Sequence, residues 1–128
     1  MKALTTRGAT LLTAATIGLL PFGVSGAFGQ SGQKLSGAQI RATFAGQQLT
    51  DEVHYRLVYE RDGTLRSFAL SVKKRGKWLV DKDQLCLYLG EPDDGCYEVS
   101  LVGKTFTLTP VGLGSALDGI LQAPPDRE

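Results

Sequence analysis

The sequence predicts a mainly β domain: a short helix followed by a six-stranded antiparallel β-meander that curls towards a small, partly closed barrel. Three observations carry that expectation. Apolar and polar residues alternate with period two in successive runs between about Glu52 and Thr109, the pattern of half-buried strands. Short turn signals separate those runs: Asp62-Gly63, Lys74-Arg75-Gly76, Lys82-Asp83, Gly90 to Gly95, and Gly103-Lys104. The only two cysteines, Cys86 and Cys96, fall on the two arms of one such hairpin, on the face opposite Leu85, Leu87, Tyr97 and Val99.

Taken in order, residues 1–27 read as a secretory signal peptide. Lys2 and Arg7 precede an uncharged run of Ala, Leu, Ile, Thr and Gly from Ala9 to Leu20, Pro21 breaks it, and Ser25 and Ala27 satisfy the small-x-small rule for cleavage after Ala27. The apolar run is shorter than the ~20 residues a bilayer requires, and no cysteine follows it to accept a lipid. Residues 28–34 read as a flexible lead-in rich in Gly, Gln and Ser. Ser36 and Gln39 then form a capping box, Leu35 and Ile40 a hydrophobic staple, and Gly46 a stop, which together predict a helix of about ten residues. A helix that short survives only by docking on an apolar surface.

The turns set the expected register of the strands. Asp62-Gly63 as a two-residue loop places Leu57 opposite Phe68 and Tyr55 opposite Leu70, and Lys74-Arg75-Gly76 as a three-residue loop places Val72 opposite Trp78. Lys82-Asp83 brings Val80 to Leu85, the cysteines meet with Leu85 opposite Tyr97, and Gly103-Lys104 sets Leu101 opposite Phe106. These registers collect Val53, Tyr55, Leu57, Phe68, Leu70, Val72, Trp78, Val80, Leu85, Leu87, Tyr97, Val99, Leu101, Phe106 and Leu108 on one face, which a one-residue slip would divide. The domain is thus expected over residues 35–110. Residues 111–128 are expected as a tail, a weak helix diluted by Gly112, Gly114 and Gly119 and then a disordered end.

Loss of the leader leaves 101 residues, one domain, with twelve cations against thirteen acids and a formal charge of −1. That balance gives no electrostatic preference for nucleic acid or for an anionic membrane. Two cysteines in an exported chain read as one structural disulfide, Cys86–Cys96, worth roughly 2.5–3 kcal/mol by the chain-entropy estimate. The expected localisation is periplasmic or secreted.

The residues argue against most chemistries. His54 is the one histidine; with Asp51 and Glu52 it reads as a polar strand start, and no metal ligand set is assigned. Cysteines ten apart, with no further Cys and no His beyond His54 to complete four ligands, exclude tetrahedral zinc. Gly112-Leu113-Gly114 lacks the third glycine and the parallel strand–helix–strand context of a dinucleotide site, so no cofactor is expected. The acid pairs Asp81/Asp83 and Asp93/Asp94 lie in turns, where Asp is favoured for bonds to its own backbone. No catalytic residue is assigned. The remaining candidates are two contact turns: the basic one carrying Lys73, Lys74, Arg75 and Lys77, beside Trp78, and the acidic one carrying Glu91, Asp93 and Asp94. The aromatic stripe Tyr55, Tyr59, Phe68, Tyr97 and Phe106 is core first and the lining of a pocket second.

Leu35 to Gly46, Asp62-Gly63-Thr64, Gly76-Lys77-Trp78, Leu85-Cys86-Leu87 and Cys96-Tyr97, in that order behind a leader, resemble a group of small, exported, uncharacterised alphaproteobacterial proteins. The resemblance covers about residues 35–102. It implies a compact β-rich periplasmic domain with a helix in front and a disulfide, and carries no activity. The departure is Lys82-Asp83, where a glycine-containing turn is the easier choice. Residues and resemblance together lead to the expectation of a non-catalytic periplasmic or secreted domain that binds a protein of unknown identity, in the manner of an inhibitor or accessory factor of an envelope enzyme. The alternative is a small β-barrel that binds a small molecule, with an enzyme third for want of an acid, base and nucleophile.

Overall fold

The computed structural model describes residues 32–125, together with Gly18. The proposed leader, the cleavage point after Ala27 and the extreme C-terminus lie outside those residues. The elements are β1 (Gln33–Lys34), α1 (Gly37–Phe44), β2 (Gln47–Thr50), β3 (Tyr55–Tyr59), β4 (Thr64–Ala69), β5 (Val72–Asp81), β6 (Gln84–Tyr88), β7 (Gly95–Val102), β8 (Thr105–Pro110) and β9 (Leu117–Gln122). Strands β2 to β9 pair in chain order, each antiparallel to the next, with β9 returning to β2 and so closing an eight-stranded barrel. The short β1 adds beside β7 through Gln33–Leu101 and Lys34–Ser100.

The mainly β class, the leading helix and the meander are therefore as expected, and two strands beyond the predicted six complete the barrel. The tail is not a weak helix. Its Leu117, Gly119 and Leu121 alternate along β9, which pairs with β2 through Thr50–Ile120 and with β8 through Phe106–Gly119. Gly119 permits the closure, since a methyl there would stand 2.8 Å from both the Thr50 carbonyl and the Tyr55 hydroxyl. Closure removes both sheet edges, which an open meander would leave unpaired.

The helix forms where the capping box places it. Ser36 accepts the Gln39 N–H at 3.2 Å while the Gln39 side chain accepts the Ser36 N–H at 2.8 Å. Gly46 takes the left-handed conformation at φ 78° and donates to the Tyr59 carbonyl. Helix and turn fit one another at Gly37: its N–H donates to Asp83 Oδ1 at 2.7 Å, and an added Cβ would lie 2.0 Å from the Lys82 carbonyl. Lys82 itself is left-handed, at φ 54°. The turn that lacks glycine is held from outside by the start of the helix.

Buried Ile40 and Phe44 project from α1 into the barrel and close one end. The Phe44 ring meets Tyr59 at 5.1 Å and Phe106 at 5.4 Å edge to face, and Tyr59 meets Trp78 at 5.5 Å. The Trp78 indole N–H donates to the Glu60 carbonyl at 2.8 Å. Leu49, Leu57, Leu65, Leu85, Val99 and Leu108 fill the space between the rings. The barrel is thus apolar within and charged without, the inverse of a membrane-spanning barrel. Among the described residues no helix is long and apolar enough to cross a membrane.

Three predicted registers hold: Val80–Leu85, Cys86–Cys96 with Leu85–Tyr97, and Leu101–Phe106. Two do not. The β3–β4 loop spans three residues, closed by Glu60 and Thr64 with Gly63 at φ 94°, so Tyr59 pairs with Leu65 and Leu57 with Ser67. That slip of one residue turns Phe68 outwards. The following turn is Leu70-Ser71, with Ala69 opposite Val72, and β5 then runs unbroken through Lys74-Arg75-Gly76. Gly76 is a mid-strand glycine, whose missing Cβ would lie 1.9 Å from the Tyr88 carbonyl. Val53, Phe68, Leu70 and Val72 accordingly leave the predicted inner face.

The disulfide joins Cys86 and Cys96 directly across the β6–β7 pair. Such bonds form and persist chiefly in oxidising, extracytoplasmic compartments.

Candidate functional site

The connections 51–54, 70–71, 89–94 and 111–116 lie together at the end of the barrel opposite α1. Each is built to hold a particular shape. In the first, Asp51 Oδ1 accepts the N–H groups of Val53 at 2.9 Å, His54 at 2.6 Å and Tyr55 at 3.1 Å, while Oδ2 meets His54 Nδ1 at 2.7 Å. Partial desolvation raises the Asp51 pKa, but these bonds outweigh it and hold the carboxyl well below the usual carboxylate range. Asp51 and His54, which with Glu52 read in the sequence as a polar strand start, thus serve the backbone of their own loop. Among the described residues no group of three or more His, Cys, Asp or Glu side chains is placed to hold a metal ion.

In the third connection Asp94 organises the turn, accepting the N–H groups of Leu89, Gly90 and Glu91 at 2.8, 2.8 and 3.1 Å. Glu91 is paired with Lys74, and the Asp93 carbonyl accepts the Tyr97 hydroxyl at 3.3 Å. Of the three acids expected to offer contacts, Asp94 therefore holds the loop itself and Glu91 ties it to β5. In the fourth connection Val111 and Leu113 stand in solvent, and Asp118 anchors the start of β9 by accepting Tyr55 and Thr107 hydroxyls at 2.6 Å each. Burial, then the charges of Asp51 and Asp118, push the Tyr55 hydroxyl up to about 12.

The second connection breaks a local rule. Two-residue hairpins with positive φ at both positions favour Asn-Gly, yet here Leu70 has φ 50° and Ser71 φ 67°. A left-handed conformation costs an ordinary side chain roughly 1–2 kcal/mol, and Leu70 recovers nothing by burial, being 82% exposed. Val53 is 79% and Leu113 94% exposed. Glu52 is also left-handed, at φ 68°. Strain and exposed apolar tips thus gather at one end, as they do at binding sites.

Two hollows adjoin these tips. A surface groove of about 580 Å³ runs between connections 51–54 and 70–71, with Val53 and Leu70 on its lips and Gln48, Arg56, Phe68 and Gln122 along it. The barrel mouth forms a cup of about 300 Å³ walled by Tyr55, Leu57, Ala69, Leu87, Leu89, Tyr97 and Leu117, with Glu91, Asp93 and Asp94 beside it. The expected aromatic lining of an internal pocket is divided: Tyr59 and Phe106 fill the closed half, Tyr55 and Tyr97 line the cup, and Phe68 is outside.

The basic residues are not a turn. Lys73, Lys74, Arg75 and Lys77 lie along β5, with Lys73, Arg75 and Lys77 on the outer side and Lys74 on the side facing the mouth. The tertiary fold adds Arg56 and Arg66 to them around Phe68, where the Arg56 guanidinium lies 4.1 Å from the ring centre and Arg66 and Lys73 each lie 5.9 Å away.

Asp62 and Asp51 make the acid limb of stability predictable. Asp62 is also lowered, chiefly by the Thr64 N–H. A carboxyl depressed in the folded state contributes stability above its ordinary value of 3.8 and loses it as pH falls towards the folded value. Thermal unfolding between about pH 5 and pH 2 is expected to show Asp51→Asn less stable than the wild type at the upper pH, the gap narrowing towards the lower one. A gap that stays constant would show that the Asp51 charge contributes nothing.

A scan against protein-family models and searches of the curated proteins and the solved structures found no match to this chain.

Proposed function

We propose that this is a non-catalytic periplasmic or secreted domain that binds a protein partner through the open end of its barrel, as an inhibitor or accessory factor of an envelope enzyme does. The observation that carries this reading is Leu70: a large apolar side chain, exposed at a left-handed turn where Asn-Gly would be more stable, beside exposed Val53 and above a groove. Apolar tips over a polar floor supply the buried anchors and the hydrogen-bonding rim of a protein interface. The helix-plugged end and the disulfide hold the barrel rigid, so that its loops keep their shape before binding.

The test uses a substitution that improves the fold. Leu70→Asn with Ser71→Gly supplies the residues this turn prefers, and is expected to raise stability by about 1–2 kcal/mol in urea unfolding. The same protein, used as bait on its own envelope fraction, is expected to lose a partner that the wild type retains. Equal recovery of that partner by the more stable variant would overturn the reading. Because the variant is better folded, loss of recovery is not attributable to unfolding.

The cup at the mouth favours the second reading, a small-molecule-binding barrel, for an apolar ligand of a few ring atoms seated between Tyr55 and Tyr97. The aromatic rings in the closed half leave the cup as the place for such a ligand.

A further inference from the structure

Beyond the loop tips, the outer face of β3, β4 and β5 carries an arrangement that specifies the chemistry of the partner. Arg66 stands directly opposite Arg75 in the β4–β5 register, and Lys73 directly opposite Phe68. Like charges facing each other across a sheet are unfavourable. Glu60 pairs with Arg66 at 2.8 Å, and Asp62 feels the charge of Arg75. Among the described residues this face gathers Arg66, Lys73, Arg75 and Lys77, with Glu60 and Asp62 the carboxylates acting on Arg66 and Arg75, while residues 32–125 as a whole hold eleven of each sign. A hollow of about 250 Å³ lined by Arg66, Phe68, Lys73, Lys74 and Arg75 lies within it. Phe68 also borders the groove beneath Leu70, so groove and basic face are one continuous surface.

We infer that the partner presents an extended acidic peptide segment, which runs from the groove over Phe68 and along β5 with its carboxylates on Arg66, Lys73, Arg75 and Lys77. Spacing favours a peptide over other polyanions. Lys73, Arg75 and Lys77 project at every second residue, roughly 6.7 Å apart, and an extended chain with acids at alternate positions repeats at the same interval. The planar arginine guanidinium is able to pair a carboxylate through two parallel bonds, which would fix the orientation of such a segment. The inference rests on the protein-binding reading and adds the charge and conformation of what is bound.

The experiment measures fluorescence anisotropy of the full protein with a labelled peptide of about ten residues alternating Glu with Thr. The comparison probes are the same peptide with Gln for Glu, one with its acids in a single block, heparin, and vesicles of phosphatidylglycerol. The alternating peptide is expected to bind at low salt, to lose at least about tenfold with either control peptide, and to weaken steeply with salt. Arg66→Ser with Arg75→Ser is expected to weaken it about tenfold or more, while Lys34→Ser with Lys104→Ser, of equal charge change elsewhere, leaves it unchanged. No binding, equal binding of the blocked peptide, equal loss in both variants, or stronger binding of heparin or vesicles would each overturn the inference. Since the probe is synthetic, its failure is separate from that of the Leu70 test, which reads the natural partner.

Discussion

Phe44→Ala is expected to destabilise the protein by about 3–5 kcal/mol, the range for removing a fully buried aromatic side chain. The ring has no exposed surface and is the contact through which α1 reaches both Tyr59 and Phe106. Its loss leaves a cavity at the one place where two other rings depend on it, and α1 is too short to persist undocked. For a domain of this size the thermal midpoint should fall by roughly 15–25 °C. If the helix detaches before the barrel unfolds, the dependence on urea should also become shallower. A loss below about 1 kcal/mol would mean that the helix does not close the barrel.

Replacing both cysteines, Cys86→Ser with Cys96→Ser, is expected to cost roughly 2.5–3 kcal/mol while leaving the β circular dichroism intact. The bond links strands already paired in register, so the sheet survives its removal and chiefly the unfolded chain gains freedom. Cys86 is fully buried, and a serine hydroxyl there adds its own desolvation cost. Reduction of the wild type should therefore give a slightly smaller drop than the double substitution. An unchanged melting temperature in both experiments would count against the bond as a stabilising element.

How far the fold is legible in the sequence depends on where each turn takes its conformation from. Gly63, Gly103 and the Gly90 to Gly95 segment announce themselves, because only glycine enters those conformations at no cost. Lys82-Asp83 is also found, since Val80 and Leu85 on its two sides leave one register that keeps both inside. Leu70-Ser71 gives no signal at all, and Lys74-Arg75-Gly76 gives a false one: its glycine is there for the close approach of the Tyr88 carbonyl, not for a turn. The reading of Asp62-Gly63 as a two-residue loop fails by one residue, and in a strand one residue is the whole difference between inside and outside. The pattern of the sequence places Phe68 and Leu70 in the core for that reason, though they are the residues on which the candidate site depends.

The site was the least legible part. Lys73, Lys74, Arg75 and Lys77 stand out in the sequence as a group, yet Arg56 and Arg66 join them only through pairing across three strands. The sequence shows Glu91 and Asp94 as acids of an exposed turn, whereas Asp94 bonds the backbone of its own loop and Glu91 pairs with Lys74 on β5.

By itself, the sequence determined the mainly β class, the capped helix, the disulfide pair and the hairpins from β5 to β8 after residue 77, because each follows from contacts local in the chain or from a face set by alternation. Tertiary structure decided the rest. The barrel closes because β9, weakened by Gly119 as an isolated segment, gains partners on both sides from β2 and β8. Leu70 is exposed because pairing of Ala69 with Val72 forces the turn there, against the preference of its own residues. Long-range hydrogen bonding, summed over eight strands, outweighs the few kcal/mol by which a local conformation is disfavoured, and it is at that turn that the open end of the barrel takes its shape.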